Sequence, residues 1–226
     1  DPHVGFSGYT SGRWYNFSHS RPYSDSASQF DFRTISSFYL RQSANVTGYG
    51  EIYYGKINDS IGYIYLPTFD EHSSSYGWAN YFQEVLDTLQ SVKALILDIR
   101  SNDGGTQGNF NKIASHFFPE SKDILLVKVR NGAKHSDFSA SESVTVTKLN
   151  SPFIKPIILL INRFTISAGE WFTLAMKSLS NVSLIGDTTG GAFSGRMDRE
   201  LSNGWLYSLS IENVTDANGT SFEGTG

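Results

Sequence analysis

The chain has no cysteine, which excludes a disulfide framework, a zinc–thiolate centre and a cysteine nucleophile. Positive charge is not in excess either. Eighteen Lys and Arg stand against 22 Asp and Glu, for a formal net charge of −4. The surplus of cations that phosphate binding requires is missing, so no nucleic-acid partner is expected. Long apolar runs are also absent: the longest, Ala94–Leu97 and Ile157–Ile161, fall far short of the ~20 residues that span a bilayer. The first residues lack the basic and apolar parts of a signal peptide. The five histidines form no His-x-x-x-His or His-Glu-x-x-His pattern, so neither a metal site nor a cofactor is expected. What is present, 226 residues of which 39% are hydrophobic and 18% charged, suffices for one large domain or two small ones with a well-buried core. The chain begins at Asp1-Pro2-His3 and stops at Gly224-Thr225-Gly226, as a piece cut from a longer protein at both ends would.

Residues 1–50 are polar, aromatic and without sustained period, which predicts an irregular segment with one or two strands, Phe38–Gln42 among them. From 51 onward the pattern sharpens. Glu51–Ile57 and Gly62–Leu66 read as strands separated by Asn58-Asp59-Ser60. In Tyr76–Gln90 the apolar residues Trp78, Phe82, Val85, Leu86 and Leu89 recur every three or four positions, one face of a helix. Lys93–Arg100 is a nearly continuous apolar strand. Phe110–Phe117 reads as a helix, Ile124–Arg130 and Pro156–Asn162 as strands, Ser167–Leu179 as a helix and Val182–Ile185 as a short strand. The polar stretch Ala133–Ser151 reads as a loop with a weak strand at Ser143–Lys148. Strand and helix in alternation predict an α/β fold of parallel crossover units.

Two turns stand out. Asp98-Ile99-Arg100-Ser101-Asn102-Asp103-Gly104-Gly105 joins an apolar strand to a helix, where open α/β sheets place ligand-binding loops. Its paired glycines suit backbone amides turned toward an anionic oxygen, although Asn, Asp and Gly are equally the residues of a plain turn. The second turn, Asn162 to Glu170, again joins strand to helix. Ser167 and Glu170 form an S-x-x-E pair, which is a capping box in its ordinary role and a nucleophile turn in its other one.

Together with Gly186-Asp187-Thr188-Thr189-Gly190-Gly191, these turns resemble the serine peptidase family that includes the tail-specific, C-terminal-processing proteases and the tricorn core. Asp98–Gly105 matches that family's Asp-x-Arg-x-Asn-x-Gly-Gly loop, and Ser167–Glu170 its Ser-Ala-x-Glu turn. The likeness runs over roughly residues 50–226. It implies a crotonase- and ClpP-like α/β core with a mostly parallel sheet flanked by helices, over residues 51–226. The irregular segment 1–50 would precede it and is too short for an intact PDZ domain. A peptide or protein substrate follows from the resemblance, as does a bacterial cell-envelope, periplasmic or secreted location.

One departure matters. Tail-specific proteases carry their general-base lysine twenty-five positions after the serine, which falls here on Ala192. The next lysine along, Lys177, lies ten residues down the helix, about 15 Å away along its axis. Tricorn-like members use a histidine from an Asp-x-His segment, and Asp1-Pro2-His3 is similar to it. Phe222-Glu223-Gly224 resembles the segment of their third member. The resemblance therefore implies Ser167 as nucleophile, His3 as base and Glu223 orienting it. Amides of Gly104 or Gly105 and of Ala168 would hold the oxyanion. A peptide-binding module without turnover and a crotonase-type acyl-CoA enzyme are the competing readings.

Overall fold

A computed structural model describes residues 4–18, 30–74 and 76–226. Where one or two strands are expected over residues 1–50, the described residues hold three: β1 (Gly5–Thr10) and β2 (Arg13–Ser18), which form a hairpin, and later β3 (Asn45–Thr47). Phe38–Gln42 is not a strand. Asp31 caps the short helix α1 (Phe32–Thr34) by accepting from the Arg33 N–H, and the chain continues as a π-helix over Ile35–Leu40 and a 3-10 turn over Arg41–Ser43. The reason is the spacing of the inward residues: Phe32, Ser36 and Leu40 lie four apart, whereas Phe38 and Tyr39 are exposed. The Phe32 ring packs on Tyr53 and Tyr65.

After β3 (Asn45–Thr47) come β4 (Ile52–Asn58) and β5 (Ile61–Tyr65), joined at the expected Asn58 turn, where Asn58 Oδ1 accepts from the Ser60 and Ile61 N–H groups. A 3-10 turn over Trp78–Tyr81 leads into α2 (Phe82–Thr88). Trp78, Phe82, Val85, Leu86 and Leu89 are all buried, as their period requires. β6 (Ala94–Asp98) follows, then α3 (Gln107–Ser115), whose N-cap Thr106 accepts from the Asn109 N–H. Later elements are β7 (Lys122–Val129), β8 (Glu142–Val146), β9 (Ile157–Ile161), α4 (Ala168–Lys177), β10 (Val182–Gly186), β11 (Arg196–Glu200), β12 (Leu206–Ser210) and β13 (Glu212–Asp216).

The central sheet has the order β10-β9-β6-β5-β4-β3. Its β5–β6, β6–β9 and β9–β10 pairs are parallel, and β3 and β4 extend it antiparallel. The fold is thus the α/β class with a mostly parallel sheet that the alternation predicts. β7 departs from that expectation. It lies outside the central sheet, between β13 and β8 in an antiparallel three-stranded sheet, because its charged ends, Lys122, Asp123 and Lys128, are exposed and only its middle is buried. A third sheet, β11-β12-β1-β2, joins the first hairpin to residues 196–210. The core gathers Ile64, Leu66, Leu95, Leu97, Ile99 and Leu159 of the central strands with Phe82, Phe110, Ile113, Phe172 and Met176 of the helices. Each such side chain contributes about 1.5–3 kcal/mol by leaving water.

Candidate active site

The register of the parallel strands assembles the site. Asp98, the last residue of β6, lies opposite Leu160 near the end of β9, so the loops that follow leave the same sheet edge side by side. Three cross-links then bind loop 98–105 to turn 162–168. Thr165 Oγ1 donates to the Ile99 carbonyl at 2.8 Å, the Ile166 N–H to the Asn102 carbonyl at 3.0 Å, and the Ser101 N–H to Asn162 Oδ1 at 2.8 Å.

Ser167 stands at the start of α4 with φ 54° and ψ −124°, a conformation that costs a non-glycine residue about 1–3 kcal/mol and is held by its surroundings. Its N–H reaches both the Ala192 carbonyl (3.1 Å) and Glu170 Oε2 (3.1 Å). The Glu170 N–H donates to the Ser167 carbonyl oxygen at 2.8 Å, so the helix start has backbone partners besides the hydroxyl. Gly104 packs directly on the serine: a methyl group there would lie 2.6 Å from Ser167 Cβ and 3.1 Å from Oγ.

The two glycines are not equivalent. The Gly104 N–H donates to Asn102 Oδ1 at 3.0 Å. The N–H groups of Gly105 and Ala168 have no acceptor among the described residues. Gly105 has φ +135°, and a side chain on it would overlap the Phe69–Asp70 backbone, so only glycine fits this close approach. Phe69 N–H donates to the Gly104 carbonyl and Thr106 N–H to the Phe69 carbonyl, which turns the Gly105 N–H away from the backbone ladder.

Glu170 is fully buried. Beyond the capping pair that the sequence shows, its carboxylate accepts from the Gly191 N–H (2.6 Å) and the Ala192 N–H (2.7 Å). Burial pushes it up to about 7 against the opposing hydrogen bonds from Thr189, Gly191, Ala192 and Ser167. Ala192, where the dyad lysine would stand, is buried and beside the serine backbone and offers only a methyl group. Lys177 is exposed in the last turn of α4.

Glu223 is tied to the same region. Its Oε2 accepts from the Phe193 N–H (2.9 Å) and the Ser194 N–H (2.8 Å), directly after Ala192. Its Oε1 is buried without a hydrogen-bond partner among the described residues. His3 lies outside the described residues, as does His19. β1 begins at Gly5 opposite Ser208, and β12 ends at Ser210 opposite Arg196, two positions after Ser194. Of the other histidines, His72 and His135 are exposed, while His116 is buried against the Phe82 ring. No group of three His, Cys, Asp or Glu among the described residues could hold a metal ion, and no described helix is long and apolar enough to cross a membrane.

Sequence reasoning placed the residues that hold the loops in the Asp98–Gly105 motif but gave them no role of their own. Asp98 is buried and receives Arg100 on both oxygens and the Tyr63 hydroxyl at 2.6 Å; burial and the Asp98 charge push the Tyr63 phenol far up. Asn102, also buried, donates to the Leu66 carbonyl at 3.0 Å. Polar residues placed immediately after a wholly apolar strand were the available signal, because burying them demands partners.

The sequence pattern of peptidase family S41 matches residues 60–226. The carboxy-terminal processing protease CtpA of Bacillus subtilis is 30% identical over 172 residues, covering 75% of this chain and 34% of that protein. The carboxyl-terminal-processing protease of Synechocystis is 31% identical over 150 residues, covering 64% of this chain and 31% of its own. The chain thus spans about a third of the length of these relatives. A presumed peptidase from Parabacteroides merdae, 29% identical, superposes with a TM-score of 0.81 over 99% of this chain and 68% of that one. With a single family pattern running from β5 to the last residue, through both loops that meet at Ser167, the chain belongs to peptidase family S41.

Proposed function

We propose that the protein is a serine endopeptidase or carboxyl-terminal-processing peptidase of the tricorn-like branch, which works without the dyad lysine. The observation that carries this reading is the strained Ser167 packed on Gly104, with the amides of Gly105 and Ala168 left without acceptors among the described residues. His3, two residues ahead of β1 in the chain, takes the Ser167 proton as Oγ bonds to the peptide carbonyl carbon. The oxyanion is received by the two free amides, each such donor being worth roughly 10²–10³ in rate. The C–N bond then breaks as the imidazolium returns its proton to the leaving amine, and water hydrolyses the acyl-enzyme by the reverse sequence. Glu223 holds the imidazole in the useful tautomer. Its buried Oε1, without a partner among the described residues, supports this role, since a carboxylate oxygen without a donor is costly unless one arrives. In the intact protein the substrate is a polypeptide met in the bacterial envelope or outside the cell.

The test is the pH profile of kcat/KM on unfolded casein, using the full-length protein. A histidine base gives a rise between about pH 6 and 7.5. His3→Ala is expected to lower acylation by at least ~10², and Lys177→Ala to leave it unchanged. Native activity in His3→Ala, or loss in a folded Lys177→Ala, overturns the triad.

A further inference from the structure

The peptidase reading leaves open what sets the oxyanion loop at the right distance from the serine, and one side chain outside the triad is placed to do it. Asn162 is the first residue after β9 and is half-buried. Its Oδ1 accepts from the Phe164 N–H at 3.1 Å, two positions on, which is an ordinary local turn. The same oxygen also accepts from the Ser101 N–H at 2.8 Å, and Nδ2 donates to Ser101 Oγ at 3.2 Å. These two bonds reach across 61 positions of sequence and do nothing for the local turn. Their target is itself unusual: Ser101 has φ 62°, a region that non-glycine residues enter only when held there. Beyond Ser101, the loop reaches Gly104 in three residues and Gly105 in four. The far end is pinned by the Phe69 N–H and Thr68 Oγ1, both on the Gly104 carbonyl. Asn162 is the side chain that pins the near end at Ser101.

We propose that Asn162 is a positioning residue, which clamps Ser101 in its positive-φ conformation and thereby sets the Gly105 amide against Ser167 for oxyanion binding. The proposal rests on the peptidase reading for its catalytic consequence, but the clamp itself is a property of the loop. Without it Ser101 relaxes toward negative φ and the Gly105 amide moves, while the Thr165–Ile99 and Ile166–Asn102 bonds keep the fold. A displaced donor weakens binding of the charge that develops in the transition state and leaves ground-state binding unaffected.

The test measures, on the full-length protein, the second-order rate at which a fluorophosphonate labels Ser167, with kcat and KM on casein. Asn162→Ala is expected to lower labelling and kcat together by about tenfold or more, with KM within about twofold. Asn162→Asp keeps an acceptor at the same reach and should recover most of the rate, whereas Asn162→Gln, one carbon too long, should not. Should the alanine variant not fold, the Asp and Gln variants decide the matter alone. Equal rates in all three, or a loss in Asp as deep as in Gln, would overturn the clamp. Hydrogen exchange separates this inference from the reading beneath it. If wild-type Ser167 is not labelled, the peptidase reading fails, and the clamp is still judged by whether the Ser101 and Gly105 amides exchange faster in Asn162→Gln with those of 169–177 unchanged. Unchanged exchange at Ser101 and Gly105 sinks it.

Discussion

The central sheet and the sheet that carries the first hairpin are built on opposite terms. In the central sheet Leu95, Leu97 and Leu159 are fully buried, and the loops at its edge are bonded to one another at least three times. In the β11-β12-β1-β2 sheet, Tyr9 and Trp14 on one face are 62% and 59% exposed, and Phe17 on the other is 58% exposed. Its cohesion is lateral. Phe6 meets Trp205 at 4.7 Å between ring centroids, and Trp205 also lies over Gly8, where a side chain would overlap the indole. The candidate site thus sits at the edge of the buried sheet, while the other sheet is held by ring contacts and backbone pairing.

Glycine gives the largest contrast between the two. Gly105→Ala forces a methyl group into the Phe69–Asp70 backbone at φ +135°, and is expected to abolish labelling of Ser167 and to cost about 3 kcal/mol or more in urea unfolding. Gly12→Ala, at the tip of the first hairpin with φ +76° and open space around it, should cost only about 1–2 kcal/mol. Next in size is the core: Leu97→Ala should lose about 2–5 kcal/mol, whereas Trp14→Ala should stay within about 0.5 kcal/mol. Equal losses would mean that the hairpin is packed in a way its exposure denies. Ser167→Ala should remove all labelling at a cost of about 1 kcal/mol, and an unfolded variant would assign the serine a structural role instead.

The remaining contrasts are graded in pH rather than all-or-none. Glu170 is pushed above its ordinary 4.5 to about 7 in the fold. The folded state therefore holds its proton more tightly, and this contribution to stability is present below pH 4.5 and lost as pH rises through about 7. His116 is pushed below 6.5 by burial, so the unfolded chain takes up its proton first and stability falls as pH drops below 6.5. Urea melts between pH 4 and 8 should lose the first slope in Glu170→Gln and the second in His116→Phe. A slope that survives its own substitution belongs to another group.

The same contrast decided what could be read from sequence. β6 and β9 are legible as unbroken apolar runs, and α2 and α4 as apolar stripes, because burial wrote those patterns. The hairpin strands bury too little to impose an alternation, and β12, the partner of β1, lies some 200 positions later, so pairing left no local trace. β11 and β13 were likewise silent. At the site, turn chemistry pointed to Ser167 and to the glycine pair, but Asn102 is what separates Gly104 from Gly105, by occupying one amide. The S-x-x-E spacing showed Glu170 as a cap; its bonds to the Gly191 and Ala192 amides come from a loop more than twenty residues downstream. Asn162 is the first residue of the second turn in sequence, and nothing in its neighbourhood announces its bond to Ser101.

The most direct test of the account is where an active-serine probe attaches. A fluorophosphonate reacts by forming a P–O bond to the nucleophile as fluoride leaves, so peptide mapping by mass spectrometry identifies the atom that the two loops activate. The expected result is one adduct per chain on the Ser167 peptide, with none in Ser167→Ala and a much slower reaction in His3→Ala. An adduct on another residue, or a folded full-length protein that takes up no probe at all, would contradict it.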